Sequence, residues 1–184
     1  VILESTSPVG TTDEIVAEML KQGGHAVGED VYVSHCPERV LPGRILIELV
    51  ENDRVVGGIN EESTKVTVDF YERFVRGAAL PTKAKTAEMV KLTENSSRDV
   101  QIAFANELSM ICETENIDTW EVIELANRHP RVNILNPGPG VGGHCIAIDP
   151  WFIVDRSPEN SNLIRTAREV NDAKPNWVVD RVKK

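Results

Sequence analysis

Over roughly the first eighty positions, apolar residues come in short runs separated by turn residues, and a helical period takes over after that. Val1-Ile2-Leu3 reads as the tail of a buried strand. Thr11, with Glu14 three residues later, makes a capping box for a helix carrying Ile15, Val16, Met19 and Leu20, which Gly23-Gly24 ends. Val31 to His35 alternates like a strand, and Arg54 to Ile59 forms another. Asn60 is placed to cap a helix on which Val66, Phe70 and Phe74 share a face, and Gly77 to Leu80 supplies a last short strand before Pro81. Strands alternating with helices predict a parallel sheet with helices on its faces.

From about Thr82 the pattern changes. Thr86 to about Glu115 holds no Pro or Gly and many good helix formers, which predicts one helix of roughly 45 Å at about 1.5 Å per residue. A break near Asn95-Ser96-Ser97 is the alternative. A single helix of that length links two domains or packs against a symmetry mate. Asp118-Thr119 starts a helix over Trp120 to Asn127, Pro130 closes it, and two more helices are expected over Ser161 to Ala173 and Asn176 to Lys184. The pattern therefore divides into an α/β part, residues 1–82, and an all-α part, residues 83–184.

Composition narrows the class without naming it. A chain of 184 residues with 41% hydrophobic and 27% charged side chains is expected to be globular and able to bury a core. No apolar run reaches membrane-spanning length and no basic-then-apolar leader opens the chain, so a cytoplasmic location with no membrane partner is expected. A net charge of -9 argues against nucleic acid as partner. Three cysteines, Cys36, Cys112 and Cys145, lack metal-ligand spacing and are odd in number, so neither a metal site nor a disulfide framework is indicated.

Candidate chemistry concentrates at Gly138-Pro139-Gly140-Val141-Gly142-Gly143-His144-Cys145, which runs into Ile146-Ala147-Ile148-Asp149-Pro150-Trp151. Glycines allow close backbone approach to a ligand, and prolines limit the freedom of such a loop. If Asp149 caps a helix whose first residue is Pro150, the positive end of that helix lies near the sulfur and favours thiolate. The plainer reading is a surface turn with Cys145 as a small apolar residue. Lys91, Asn95 and Arg98, spaced by four and three, share a stripe of the long helix that spacing alone reads as a solvated polar face.

A sheet that opens in mid-strand, with no Gly-x-Gly-x-x-Gly following a strand, suggests a fragment. Four ordered motifs then carry a resemblance. Glu4-Ser5-Thr6-Ser7-Pro8-Val9-Gly10, Cys36-Pro37-Glu38-Arg39-Val40-Leu41-Pro42-Gly43, Ala87 through Asn95 and Gly142-Gly143-His144-Cys145 through Asp149 resemble the UDP-glucose/GDP-mannose dehydrogenase family across essentially the whole chain. Ala126 through Leu135 and Asp149 through Val154 look most like the branch oxidising UDP-N-acetyl-D-mannosamine. Pro42 and Ile148 stand where UDP-glucose dehydrogenases often carry an acidic and a basic residue, which weighs against glucose.

The resemblance implies four-electron oxidation of a sugar C6 alcohol to a carboxylate with NAD as cofactor. It also implies the second half of a Rossmann-like domain followed by a helical region that forms a homodimer through the long helix. Cys145 matches the family nucleophile, Lys91 an active-site lysine, Asn95 a substrate contact, Glu38 a water-activating glutamate and Asp149 a catalytic aspartate. Lys91 could stabilise an oxyanion as an ammonium or accept a proton as an amine. Arg39, Val40, Arg98, His129, Arg131 and Gly142 match positions lining the UDP-sugar pocket, with His129 and Arg131 reaching from a partner subunit, and Thr6 matches a residue near the nicotinamide. UDP-N-acetylglucosamine or UDP-glucose is the alternative substrate. Two rivals stand outside the family: a thiol hydrolase pairing Cys145 with His25, His129 or His144, and a non-enzymatic dimerisation module.

Overall fold

The computed structural model describes residues 1–40 and 43–183 and divides into two compact units, Val1–Leu92 and Thr93–Lys184. Leu41 and Pro42 of the second motif, and Lys184 at the end of the last expected helix, lie outside the described residues.

In the first unit, strands β1 (Ile2–Leu3), β2 (Ser34–His35), β3 (Arg54–Gly58) and β4 (Ala79–Lys83) form one sheet in the order β1-β2-β3-β4. Helix α1 (Ala17–Gln22) continues a π-helical turn over Thr11–Val16, and α2 (Ile45–Glu51) and α3 (Glu61–Tyr71) follow β2 and β3. The sheet is mixed, which corrects the parallel expectation: β1 and β2 are parallel, as are β3 and β4, but β2 and β3 are antiparallel, with Ser34 opposite Gly58. A parallel return needs a crossover element that buries a face on the sheet. Helix α2 has no buried residue, and Ile45, Leu46 and Ile47 are 50%, 82% and 49% exposed, so the chain comes back beside β2 in the opposite direction. Strand β4 runs through Pro81, which the sheet tolerates because β4 is an edge strand. Val31 contributes only an isolated bridge to Val27, leaving β2 shorter than its alternation suggested.

Asn60 caps α3 by accepting the Ser63 N–H at 2.8 Å. The face α3 buries is polar, however: Ser63, Thr64, Thr67 and Tyr71 point inward. Val66, Phe70 and Phe74 are 37%, 48% and 41% exposed. Hydrogen bonding decides this orientation, since Thr64 Oγ1 accepts the Gly58 N–H, Thr67 donates to Ser34 Oγ, and Ser34 donates to the Ser63 carbonyl. Cys36, Val56, Tyr71 and Val75 form the apolar core, with Ile2 and Val68 against it.

The capping box is replaced by a distant residue. Thr11 Oγ1 donates to the Pro8 carbonyl, and Gly10, at φ +97°, makes no side-chain cap. Glu88, 1% exposed, instead accepts from Gly10 N–H at 2.6 Å, Thr12 N–H at 2.8 Å and Thr12 Oγ1 at 2.7 Å. A carboxylate at a helix start is favoured by the helix dipole as well as by these bonds. Glu88→Ala should destabilise the fold by about 1–3 kcal/mol in urea denaturation, because it orphans buried donors; an unchanged midpoint would show that water replaces the carboxylate.

Helix α4 (Ala84–Thr114) is unbroken through Asn95-Ser96-Ser97; its first turns belong to the first unit and the rest to the second. In the second unit, α5 (Thr119–Ala126) is capped by Asp118, which accepts from Trp120 and Glu121 N–H. Two further helices, α6 (Asp149–Arg156) and α7 (Asn162–Val182), complete it. The expected break before Asn176 does not occur, for α7 passes through Pro175. Proline costs a helix one hydrogen bond, but here three side chains of the preceding turns are anchored on α4. Arg168 donates to Asp99 Oδ1 at 2.7 Å, Asn171 Nδ2 donates to the same oxygen at 2.8 Å, and Lys174 donates to Ser109 Oγ at 2.6 Å. Arg168 and Asp99 are both fully buried. Burial pushes the Asp99 carboxyl up, opposed by Asn171 and Arg168. Among the described residues, no helix is long and apolar enough to cross a membrane.

Candidate functional site

The glycine- and proline-rich loop ends in a tight turn. Cys145 is exposed, and its carbonyl accepts the N–H groups of Ile148 at 3.1 Å and Asp149 at 2.9 Å, so the residue sits in the turn that opens α6. Cys36 and Cys112 are 0% and 3% exposed. Asp149 is the first residue of α6 rather than its cap; Ile148 holds the cap position without a side-chain hydrogen bond. Asp149, 4% exposed, points instead toward α4 and accepts a 2.6 Å hydrogen bond from Asn95 Nδ2. This pair corrects the capping expectation: Asp149 is the first helical residue, and its carboxylate accepts a short bond from a side-chain amide on α4. It brings two of the expected site residues together, four positions beyond the thiol.

Lys91 lies one turn before Asn95 on α4, and both are half-buried, while Arg98 is exposed one turn further on. Gly142, His129 and Arg131 are exposed. Asn127 staples the His129–Arg131 segment by accepting the Ile134 N–H at 2.7 Å and donating to its carbonyl at 3.0 Å. His129 Nδ1 accepts the Arg131 N–H at 3.3 Å, and His25 lies 3.8 Å from Asp30. Among the described residues of the second unit, neither His129 nor His144 is hydrogen-bonded to Cys145.

In the first unit, Glu38 follows β2. Its N–H donates to the Glu4 carbonyl at 3.1 Å, and its Oε1 accepts the Arg39 N–H at 2.6 Å. The Arg39 carbonyl accepts from Asn52 at 3.1 Å, and Val40 is half-buried. Arg54, 3% exposed, places Nη1 3.9 Å from Glu38 Oε2, and its guanidinium lies 5.3 Å from the centre of the Tyr71 ring. Neither its Nε nor its Nη1 has a hydrogen-bond partner among the described residues. Burial pushes the neighbouring Cys36 thiol up, which keeps it protonated. Thr6 stands half-buried just past β1, beside Ser7, whose buried Oγ has no partner among the described residues.

Sequence reasoning missed Arg54, Glu88 and the Asp99–Arg168 pair. One signal was available for the last. Asp99 and Asn106 are seven apart on α4, and Arg168 and Asn171 three apart on α7, so each pair shares a face that apolar residues would otherwise occupy.

Comparison with known proteins adds to this geometry. Residues 1–75 match the NAD binding domain, and residues 85–173 the central domain, of the UDP-glucose/GDP-mannose dehydrogenase family. Over 190 residues the chain is 62% identical to an NDP-N-acetyl-D-galactosaminuronic acid dehydrogenase of Ralstonia solanacearum, and this covers 100% of the chain and 45% of the relative. It is 59% identical, with the same coverage, to a UDP-N-acetyl-D-mannosamine dehydrogenase of Escherichia coli strain K12. The solved UDP-N-acetyl-mannosamine dehydrogenase of S. aureus superposes with a TM-score of 0.90 at 53% identity, covering 99% of this chain and 44% of that one. The chain thus spans about 45% of the length of the curated relatives it matches.

Proposed function

Because the chain belongs to the UDP-glucose/GDP-mannose dehydrogenase family, we propose that it is the internal segment of an NAD-dependent dehydrogenase that oxidises the C6 alcohol of UDP-N-acetyl-D-mannosamine to the uronate. Residues 1–82 are the later part of its cofactor domain and residues 83–184 its central region. The observation that carries this reading is the exposed Cys145 in the turn opening α6, four residues before the buried Asp149–Asn95 pair.

Each residue has a task in this reading. The alcohol loses a hydride and a proton to become an aldehyde, and the Cys145 thiolate adds to the aldehyde carbon while the carbonyl oxygen takes up a proton, giving a thiohemiacetal. Loss of a second hydride and the hydroxyl proton gives a thioester, and water cleaves it to the carboxylate and free thiol. NAD⁺, when bound, accepts the hydride of each oxidation. Lys91 meets the negative charge that develops on the C6 oxygen, while Asn95, oriented by Asp149, fixes the sugar. Glu38 activates the hydrolytic water, with Arg54 at 3.9 Å as its nearby cation. Arg39, Arg98 and Arg131 supply charge to the diphosphate, His129 a hydrogen-bond donor, and Val40 and Gly142 backbone contacts.

The cofactor fits this segment in part. Glu88 already occupies the amides of Gly10 and Thr12, so that helix start has no room for a phosphate. Thr6 and the Ser7 hydroxyl, which has no partner among the described residues, stand just past β1 and fit the nicotinamide end. Pairing through α4 is part of the same proposal, because Phe104 and Ile111, seven apart on one face, are 58% and 52% exposed.

A second substrate reading has its own support, the 62% identity to the Ralstonia solanacearum enzyme named for N-acetyl-D-galactosaminuronic acid. Steady-state assays of the full-length protein with both nucleotide sugars separate the two. We expect two NADH per uronate and a higher kcat/KM for the mannosamine substrate; preference for the galactosamine substrate reverses the order, and no NADH with either removes the dehydrogenase reading.

A further inference from the structure

Cys145 lies in a loop with almost no side chains of its own to hold it, yet the loop is tied to the helices behind it at three places. The Gly138 N–H donates to Asn106 Oδ1 at 2.9 Å. Gly140, at φ +149°, lies so close to Pro175 that a Cβ there would come within 2.7 Å of the ring Cγ. The Ile146 carbonyl, next to the thiol-bearing residue, is 3.5 Å from Arg168 Nη1.

The first and third ties are ends of one chain of hydrogen bonds. Asn106 Nδ2 donates to Asn171 Oδ1 at 2.9 Å, Asn171 Nδ2 donates to Asp99 Oδ1 at 2.8 Å, and Arg168 Nη1 donates to that same oxygen at 2.7 Å. All four side chains are at most 1% exposed. A buried polar network of this kind adds little net stability over an apolar core, and although Asp99 Oδ2 and Arg168 Nε have no partner among the described residues, losing any of the three bonds named above would strand a further donor or acceptor. Both side-chain amides are also oriented by it: Asn106 accepts from the loop only while its NH₂ faces Asn171.

We propose that Asn106 is a positioning residue for Cys145: through Asn171, Asp99 and Arg168 it sets the spacing of Gly138 and Ile146, and so holds the thiol where the aldehyde must be captured. This rests on Cys145 being the nucleophile. The first oxidation needs no thiol, whereas the second requires attack on the aldehyde carbon at close range, and misplacement by about 1 Å costs on the order of 10²-fold in such a step. A loosened loop therefore changes the partition of the aldehyde between capture and escape.

The test uses the full-length protein carrying Asn106→Ala, with hydroxylamine present to trap free aldehyde as its oxime. We expect at least about a tenfold fall in uronate formation with KM for the nucleotide sugar within about threefold, NADH per uronate rising above two, and oxime appearing. The double variant Asn106→Ala/Asn171→Ala removes the Asn171 carbonyl that the single variant strands, at the cost of a donor to Asp99 Oδ1; its partition should stay abnormal, since Gly138 remains unheld. An unchanged partition in either folded variant overturns the proposal, as does a double variant restored in both stability and partition. Failure of both variants to fold also overturns it, by making the network structural. Cys145→Ala, run alongside, tells this failure from failure of the underlying reading: a variant that still makes uronate removes the nucleophile itself.

Discussion

Full-length protein with Cys145→Ala makes no uronate above background, a loss of at least about 10³-fold of the kind that removal of a covalent nucleophile produces. The expectation follows from what the sulfur is asked to do. An aldehyde has no good route to a second hydride transfer unless a nucleophile adds to its carbon, and Cys145 is the exposed thiol while Cys36 and Cys112 are buried. Cys145→Ser tests the chemistry more finely, because a hydroxyl occupies the same turn but is far less ionised at neutral pH. Iodoacetamide supplies a control on the chain itself: in the native state one equivalent should be taken up, at Cys145. Uronate formation by Cys145→Ala at a rate near that of the parent protein would remove the thiol from the mechanism.

Arg168→Met should cost about 3–5 kcal/mol, the penalty for leaving one partner of a buried ion pair uncompensated. Arg168 and Asp99 have no exposed side-chain surface, and Asp99 Oδ1 would keep only Asn171 as a donor. Against the roughly 5–15 kcal/mol typical of a folded domain, that loss is large. The pair itself is worth much less than its breakage, so Arg168→Met combined with Asp99→Leu should recover most of the stability. Urea denaturation followed by circular dichroism measures both. Equal losses in the single and double variants would show that packing, not charge pairing, holds α7 on α4.

Capping residues were legible where cap and helix are neighbours. Asn60 and Asp118 each meet N–H groups within three residues, and both work as read. Thr11 failed for an equally physical reason: Glu88, far along the chain, offers a charged acceptor to the same helix start and outcompetes a hydroxyl. Apolar spacing at Val66, Phe70 and Phe74 shows that they share a face but not which face is buried, because it carries no information about the Gly58 N–H and the Ser34 hydroxyl that draw Thr64 and Thr67 inward. Cys145 stood out because glycines, prolines and one thiol form a local signature. Its supports did not, since Asn106 and Arg168 are ordinary helix residues until the loop is laid against them.

By itself, then, the sequence determined most of the succession of helices and strands, though not α2 or the continuity of α7, together with the caps at Asn60 and Asp118 and the one loop with a reactive side chain, because these depend on interactions among residues close along the chain. Tertiary structure alone decided that β3 runs against β2, that α7 continues through Pro175, and that Asp149 turns to Asn95 instead of capping its own helix. Each of those outcomes is a competition between a nearby partner and a distant one. The distant partner wins where burial removes water as the alternative, and burial is a property of the packed chain.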